Sequence, residues 1–171
     1  VLDVLVSITS SSPIIFPAPY NKTISYLNSK IIFKNIKKWM DTFYFNDPIV
    51  INFLPTNLNY NLINQINPKL NIYYAANDFG TQSGTEKILS SEIKTINKAN
   101  INFGTSHQII DKIKKYSTNI YFFPAAIEEN KFKNIKGEKP KIFEKIKSPI
   151  ISYVGNFTEV FDSNLMINLI K

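Results

Sequence analysis

The sequence predicts an α/β protein built on a doubly wound parallel sheet, and three observations predict it. Runs rich in aromatic and β-branched residues at 72–76, 101–103 and 120–123 alternate with two segments of helical periodicity. Strand, helix, strand, helix, strand in that order makes a parallel sheet covered by helices. The first run ends in a carboxylate, Asn77-Asp78-Phe79-Gly80, at the carboxyl edge where open α/β sheets bind ligands, while the last ends at Pro124, which brings no amide hydrogen to a ladder.

Each element has its own justification. Leu2-Asp3-Val4-Leu5-Val6 is short and mostly apolar, as a buried parallel strand should be. Ser10-Ser11-Ser12-Pro13, Pro17 and Pro19 then forbid regular structure. From residue 25 or 28 to 45, Leu27, Ile31, Ile32, Ile36, Trp39, Met40 and Phe43 recur at helical spacing, opposed by Lys30, Lys34, Lys37 and Lys38. The apolar stripe reads as core. Pro48 and Pro55 bracket a strand at 49–54, which puts Thr56 and Asn57 at its carboxyl edge. A short helix at 59–66 returns the chain before Pro68.

The segment 85–99 places Ile88 or Leu89, Ile93 and Ile96 inward. Thr105-Ser106-His107-Gln108 has the pattern of a capping box, in which Thr105 accepts from the amide of Gln108 and the Gln108 side chain reaches back. The helix that starts at Ser106 carries Ile109, Ile110 and Ile113 on one face and Lys112, Lys114 and Lys115 near its end, where the dipole favours cations. Beyond Phe132, lysines mixed with Gly137, Glu138 and Pro140 make a connector. Pro149 opens a fresh apolar strand at 150–154, followed by Gly155-Asn156-Phe157 and a helix from about Asp162. The expected division is a domain over 1–132, a linker over 133–148 and the start of a second domain over 149–171.

Composition narrows the function. With 44% apolar and 13% aromatic residues, 171 residues bury a real core, so the chain is not a disordered tail. No run approaches the roughly 18 apolar residues of a membrane span, and the start lacks the basic-then-apolar order of a signal peptide, so a soluble cytoplasmic protein is expected. The absence of cysteine excludes disulfides and thiolate metal sites. The net charge of +7 comes from lysine alone, for there is no arginine. Sequence-specific nucleic-acid readers rely on arginine's planar fork, so no nucleic-acid partner is expected. Dispersed lysines suit a solvated basic surface, and after that attraction to an anionic membrane or a polyanionic acceptor. The chain opens in an apparent strand and stops in helical pattern, which is expected of a piece of a longer protein.

Several segments, in this order and spacing, resemble one family. A strand ending in an acidic pair and Phe is matched by Tyr73-Tyr74-Ala75-Ala76-Asn77-Asp78-Phe79. A Glu, an apolar helix, Ala-Asp, a strand and Ser are matched from Glu92 through Ala99-Asn100 to Phe103-Gly104-Thr105-Ser106. The interdomain signature is present in outline as Pro124-Ala125-Ala126-Ile127-Glu128 with Phe132, and the strand that opens the second domain as Pro149-Ile150-Ile151-Ser152-Tyr153-Val154-Gly155, followed by Asp162 and Leu165. The chain is similar to the N-terminal domain of GT-B glycosyltransferases, family 4-like enzymes of bacterial surface-polysaccharide and teichuronic-acid type. On this resemblance it is Rossmann-like, lacks the first β-α-β portion of that domain, and includes the start of a second Rossmann-like domain.

The resemblance implies transfer of a sugar from a nucleotide-sugar donor to a glycan or lipid-linked acceptor, without a bound metal or other cofactor. It implies Asp78 as the catalytic carboxylate, Asn77, Thr56 and Asn57 as acceptor-binding residues, and Gly155 and Asn156 as donor-binding residues. For Asp78 the plainer alternative is an Asp that caps a helix or orders the Phe79-Gly80 turn. His107, the only histidine, falls in the first turn of a capped helix and has no second histidine or cysteine to share a metal; it reads as a surface residue. Glu92 reads as a helix-surface or cleft-edge residue. Glu128 and Glu129 are adjacent and point in different directions, so they do not read as a glycosidase pair. Two classes of function stand: a glycosyltransferase part, and a non-catalytic α/β binding domain that keeps the scaffold.

Overall fold

In a computed structural model the described residues are 21–79, 86–133, 137, 141–144, 146, 150, 152–155 and 161–170. The predicted strand at 2–6 and the loop after it lie outside them, as do Gly80 and Asn156. The chain divides into two compact units, one up to Ala125 and one from Ala126.

The first unit alternates helix α1 (Lys22–Thr42), strand β1 (Ile49–Asn52), α2 (Asn57–Ile66), β2 (Leu70–Ala75), α3 (Glu86–Lys98), β3 (Ile101–Gly104), α4 (His107–Ile113) and β4 (Ile120–Phe122). The four strands form one sheet in the order β1-β2-β3-β4, and every neighbouring pair is parallel. This is the Rossmann-like α/β architecture that the alternation predicts. Register fixes the two faces. Asn52, Tyr73 and Asn102 stand in line on one, with Ala75 and Gly104 beyond them. Helices α2, α3 and α4 lie on that face: Asn59 Nδ2 of α2 donates to Asn52 Oδ1 at 3.2 Å, and Ile96, Ile109 and Ile113 pack on Tyr73 and Ala75. The opposite face carries a row of rings, Phe53, Tyr74, Phe103 and Tyr121, with neighbouring centroids 5.2–6.5 Å apart.

Side-chain chemistry sets the ends of the elements. Strand β1 stops at Asn52, two residues short of the predicted 54, because Asn52 Oδ1 accepts from the amide of Leu54 at 3.1 Å and turns the chain out of the ladder. Thr56 Oγ1 accepts from the amide of Asn59 at 3.2 Å and caps α2, while Asn21 caps α1. At the amino end of the sheet, Asn71 and Asn100 exchange 2.8 Å bonds, and Asn102 Nδ2 donates to Ile96 O at 3.3 Å and Ser117 Oγ at 3.1 Å. Asparagine thus supplies what a wholly apolar strand could not, side-chain bonds to backbone groups where strand and helix meet.

Helix α1 departs from its expected packing. Its buried residues are Ser25, Asn28 and Ser29, whereas Leu27 and Phe43 are exposed. Small side chains let α1 approach α2, where Ser29 Oγ accepts from Gln65 Nε2 at 2.7 Å.

In the second unit, α5 (Asn130–Lys133) and α6 (Ser163–Ile170) are helical, whereas residues 150 and 152–154 are irregular where a strand is expected. A strand exists only as part of a ladder, and the described residues of this unit supply no second strand to bond it. Tyr153 packs on Phe161 at 4.8 Å, and Asp162 Oδ1 accepts from the amide of Leu165 to start α6.

Candidate functional site

The carboxyl ends of β2 and β3 converge on Asp78. Thr105, just after β3, donates from its amide to Ala75 O at 3.3 Å, and its hydroxyl lies 3.3 Å from the carbonyls of Ala75 and Ala76. The two exit loops are thereby tied together. At Gly104 the helix sits directly on the strand: a Cβ there would lie 2.8 Å from Ile110 Cδ1 and 3.3 Å from Ile109 Cγ2. Glycine permits the approach, and the approach swings Gln108 and Lys112, four residues apart on one side of α4, onto the turn after β2.

Asp78 receives both. Gln108 Nε2 donates to its Oδ2 at 3.1 Å, and Lys112 Nζ donates to its Oδ1 at 3.0 Å. The predicted capping box is therefore not made. The cap of α4 is Ser106, whose Oγ accepts from the amide of Ile109 at 3.3 Å, so Thr105 is released to bind the loop and Gln108 to bind Asp78.

Behind Asp78 the structure holds a second carboxylate. Glu92 of α3 is 1% exposed; its Oε1 accepts from the Tyr73 hydroxyl at 3.1 Å, and its Oε2 lies 2.7 Å from Lys112 Nζ. The geometry at Oε2 is that of an ion pair more than of a directed hydrogen bond. Lys112 therefore bridges two acids. Burial pulls its pKa down, but its close contacts with Glu92 and Asp78 and the charge of both carboxylates push it up further, and the net shift is upward. Tyr73 is moved upward as well, first by burial and then by the Glu92 charge beside it, so it stays a protonated donor. Side-chain exposure is 22% at Lys112 and 19% at Asp78, and the cluster opens to solvent at that end. Of these three groups two are carboxylates and one is an ammonium, and an edge that presents acids favours a hydroxyl or a cation over an anion.

No family model, curated protein or solved structure matches this chain.

The other predicted site residues are more dispersed. Thr56 and Asn57 stand at the carboxyl end of β1, beside β2, but the Thr56 hydroxyl is engaged in capping and Asn57 is the first residue of α2. Asn77 is exposed next to Asp78. Gly155, in the second unit, is exposed, and a Cβ there would lie 2.8 Å from the Tyr153 hydroxyl oxygen; Asn156 is outside the described residues. Glu128 and Glu129 are exposed and pair with Lys131 at 2.6 Å and Lys133 at 2.5 Å across one helical turn, which is surface chemistry. His107 stacks on Phe122 at 4.6 Å between centroids. Among the described residues no three His, Cys, Asp or Glu converge as a metal-binding group.

Sequence reasoning missed Glu92, Lys112, Tyr73 and Gln108 as parts of one site. The available signal was the pair Gln108 and Lys112 at a spacing of four, which shares a helix face and has to meet something there.

Proposed function

We propose that this chain is the acceptor side of a GT-B, family 4-like glycosyltransferase, in a protein that moves a sugar from a nucleotide-sugar to a lipid-linked or polysaccharide acceptor in cell-surface glycan synthesis. The observation that carries the reading is Asp78, a carboxylate held by Lys112 and Gln108 at the carboxyl edge of a parallel sheet. The pair of carboxylates at this edge, Asp78 and Glu92, repels a nucleotide diphosphate and welcomes the neutral hydroxyl of an acceptor.

In this reading Asp78 accepts a hydrogen bond from the attacking hydroxyl and takes up its proton as the glycosidic bond forms and the bond from sugar to diphosphate breaks. Asn77, Thr56 and Asn57 hold neighbouring acceptor hydroxyls. Gly155 and Asn156 belong to the donor side, where backbone amides at a turn stabilise the departing diphosphate without a metal or other cofactor. The protein works in the cytoplasm, at the inner face of the membrane where lipid-linked acceptors are met.

A second reading, a non-catalytic α/β binding domain, is favoured by one observation: both Asp78 oxygens already hold protein partners, as a structural carboxylate would. The test is transfer from a panel of labelled nucleotide-sugars to lipid-linked and polysaccharide acceptors by the protein that carries this chain, with Asp78→Ala and Asp78→Asn alongside. The enzyme reading expects a loss of about 10²- to 10⁴-fold in both variants with the fold retained. No transfer by the unaltered protein, with acceptor binding intact, supports the binding domain.

A further inference from the structure

Asp78 receives donors of two kinds. Gln108 and Lys112 stand one turn apart on α4, so both reach the turn after β2, but what holds each of them differs. Lys112 is tied from two sides: its ammonium lies 3.0 Å from Asp78 Oδ1 and 2.7 Å from Glu92 Oε2, and its departure would strip a buried acid of that ion pair. An ammonium so placed does not leave for a neutral ligand. Gln108 is exposed, and among the described residues its side chain is held only through Nε2, which donates to Asp78 Oδ2 at 3.1 Å. Its backbone is fixed, because Ile109 and Ile110 beside it are buried and the Ile110 amide donates to Ser106 O at 3.0 Å. Only the side chain has to swing, and exposed side chains change rotamer in picoseconds to nanoseconds.

We propose that Gln108 keeps the acceptor's place: its amide holds Oδ2 of Asp78 until the acceptor binds and then yields that oxygen to the acceptor hydroxyl, while Lys112 stays on Oδ1. The inference rests on the reading of Asp78 as the carboxylate that receives the acceptor. The exchange replaces one neutral donor, N–H, by another, O–H, so no charge is left unpaired as the site fills. It also selects. A ligand takes the place only if it brings a hydrogen to donate, so a hydroxyl qualifies and an ionised phosphate or carboxylate oxygen does not. The released amide carries its own acceptor oxygen and two N–H groups, and it stays within reach of hydroxyls beside the first, as a carbohydrate presents them. Two protein donors on Asp78 therefore do not bar it from binding, because one of them is exchangeable.

The test is the transfer assay with Gln108→Ala, which has no amide, and Gln108→Asn, whose amide is too short to reach Oδ2. The position is exposed, so the urea midpoint of both variants stays close to that of the unaltered protein. A side chain that competes with the acceptor raises its KM; removal lowers acceptor KM about three- to tenfold, the worth of one exposed hydrogen bond, and leaves kcat unchanged. A side chain that only positions Asp78 gives the opposite, a fall in kcat with no gain in KM. That result, or a KM unmoved in both variants, overturns the proposal. A spectroscopic readout needs no turnover. In the nitrogen-labelled protein the Gln108 side-chain amide is expected to shift in Asp78→Asn, and to move toward the position of a free glutamine as a neutral oligosaccharide fragment of the acceptor is added. An amide indifferent to Asp78→Asn, or one that stays on Asp78 at saturating fragment, also overturns it. Transfer that is absent, or indifferent to Asp78→Asn, sinks the transfer reading and this inference with it, whereas the outcomes above sink the inference alone.

Discussion

Replacing Lys112 by Met keeps the aliphatic stem and removes the ammonium from between two acids. Glu92, 1% exposed, then faces Asp78 without the ammonium that stood between them. Breaking a buried ion pair from one side costs about 3–5 kcal/mol, and solvent access through Lys112 and Asp78 brings the expected value to the lower end, about 3 kcal/mol. Against a domain stability of roughly 5–15 kcal/mol this is a large loss, readable by urea denaturation at neutral pH. Glu92→Gln costs less, because its amide oxygen still accepts from Tyr73. In the double variant the two changes compensate, with a coupling of at least about 1 kcal/mol.

The pH dependence follows from the proton balance. Lys112 is shifted above its ordinary 10.5 in the folded chain, so its stabilisation is fully present below pH 10.5 and is lost as pH rises through the folded value, because the unfolded chain gives up the proton first. The deficit of Lys112→Met is therefore flat between neutral pH and about pH 10 and narrows above 10.5. A loss under about 1 kcal/mol, or strict additivity with Glu92→Gln, would show that the bridge is solvated and does not hold Asp78 in place.

Two further outcomes are expected. Tyr73→Phe strips Glu92 Oε1 of its donor and costs about 1–2 kcal/mol at neutral pH. Because the Tyr73 hydroxyl is shifted above its ordinary 10.0, it adds to alkaline unfolding beyond that pH; the variant loses up to about 1.4 kcal/mol per pH unit of that slope, seen in urea midpoints taken across the alkaline range. Gly104→Ala brings a methyl group to 2.8 Å from Ile110 Cδ1, at the free end of a side chain that can shift, so about 1–2 kcal/mol and a lowered melting temperature are expected.

Much of the first unit was legible because period and punctuation agree there. Prolines bracket β1, the β-branched and aromatic runs mark β2 to β4, and all four strands pair in parallel as the alternation requires. Asp78 was legible as an exit-loop carboxylate for the same reason. Its partners were not. Apolar spacing points Ile93 of α3 inward, yet the buried residues there are Ser91, Glu92, Thr95 and Ile96. Ser91 Oγ donates to Pro55 O at 2.6 Å, and Glu92 meets Tyr73 and Lys112, which are 19 and 20 residues away in opposite directions. A helix wheel counts hydrophobicity and cannot see a distant partner that makes a buried acid stable. The Thr105 cap failed by one residue for a similar reason: either hydroxyl can serve locally, and the bond from Thr105 to the neighbouring loop decides between them.

The most direct test of the site is to ask which half of a sugar transfer it prefers. Amide chemical shifts of the labelled chain are followed while a neutral oligosaccharide acceptor fragment, and separately a nucleoside diphosphate, is added. A cluster built on two carboxylates and one ammonium predicts that the neutral ligand perturbs residues 76–79 and 105–108 and that Asp78→Asn weakens it, while the diphosphate leaves those amides still. Diphosphate shifts centred on Asp78, or acceptor shifts confined to other surfaces, would contradict it.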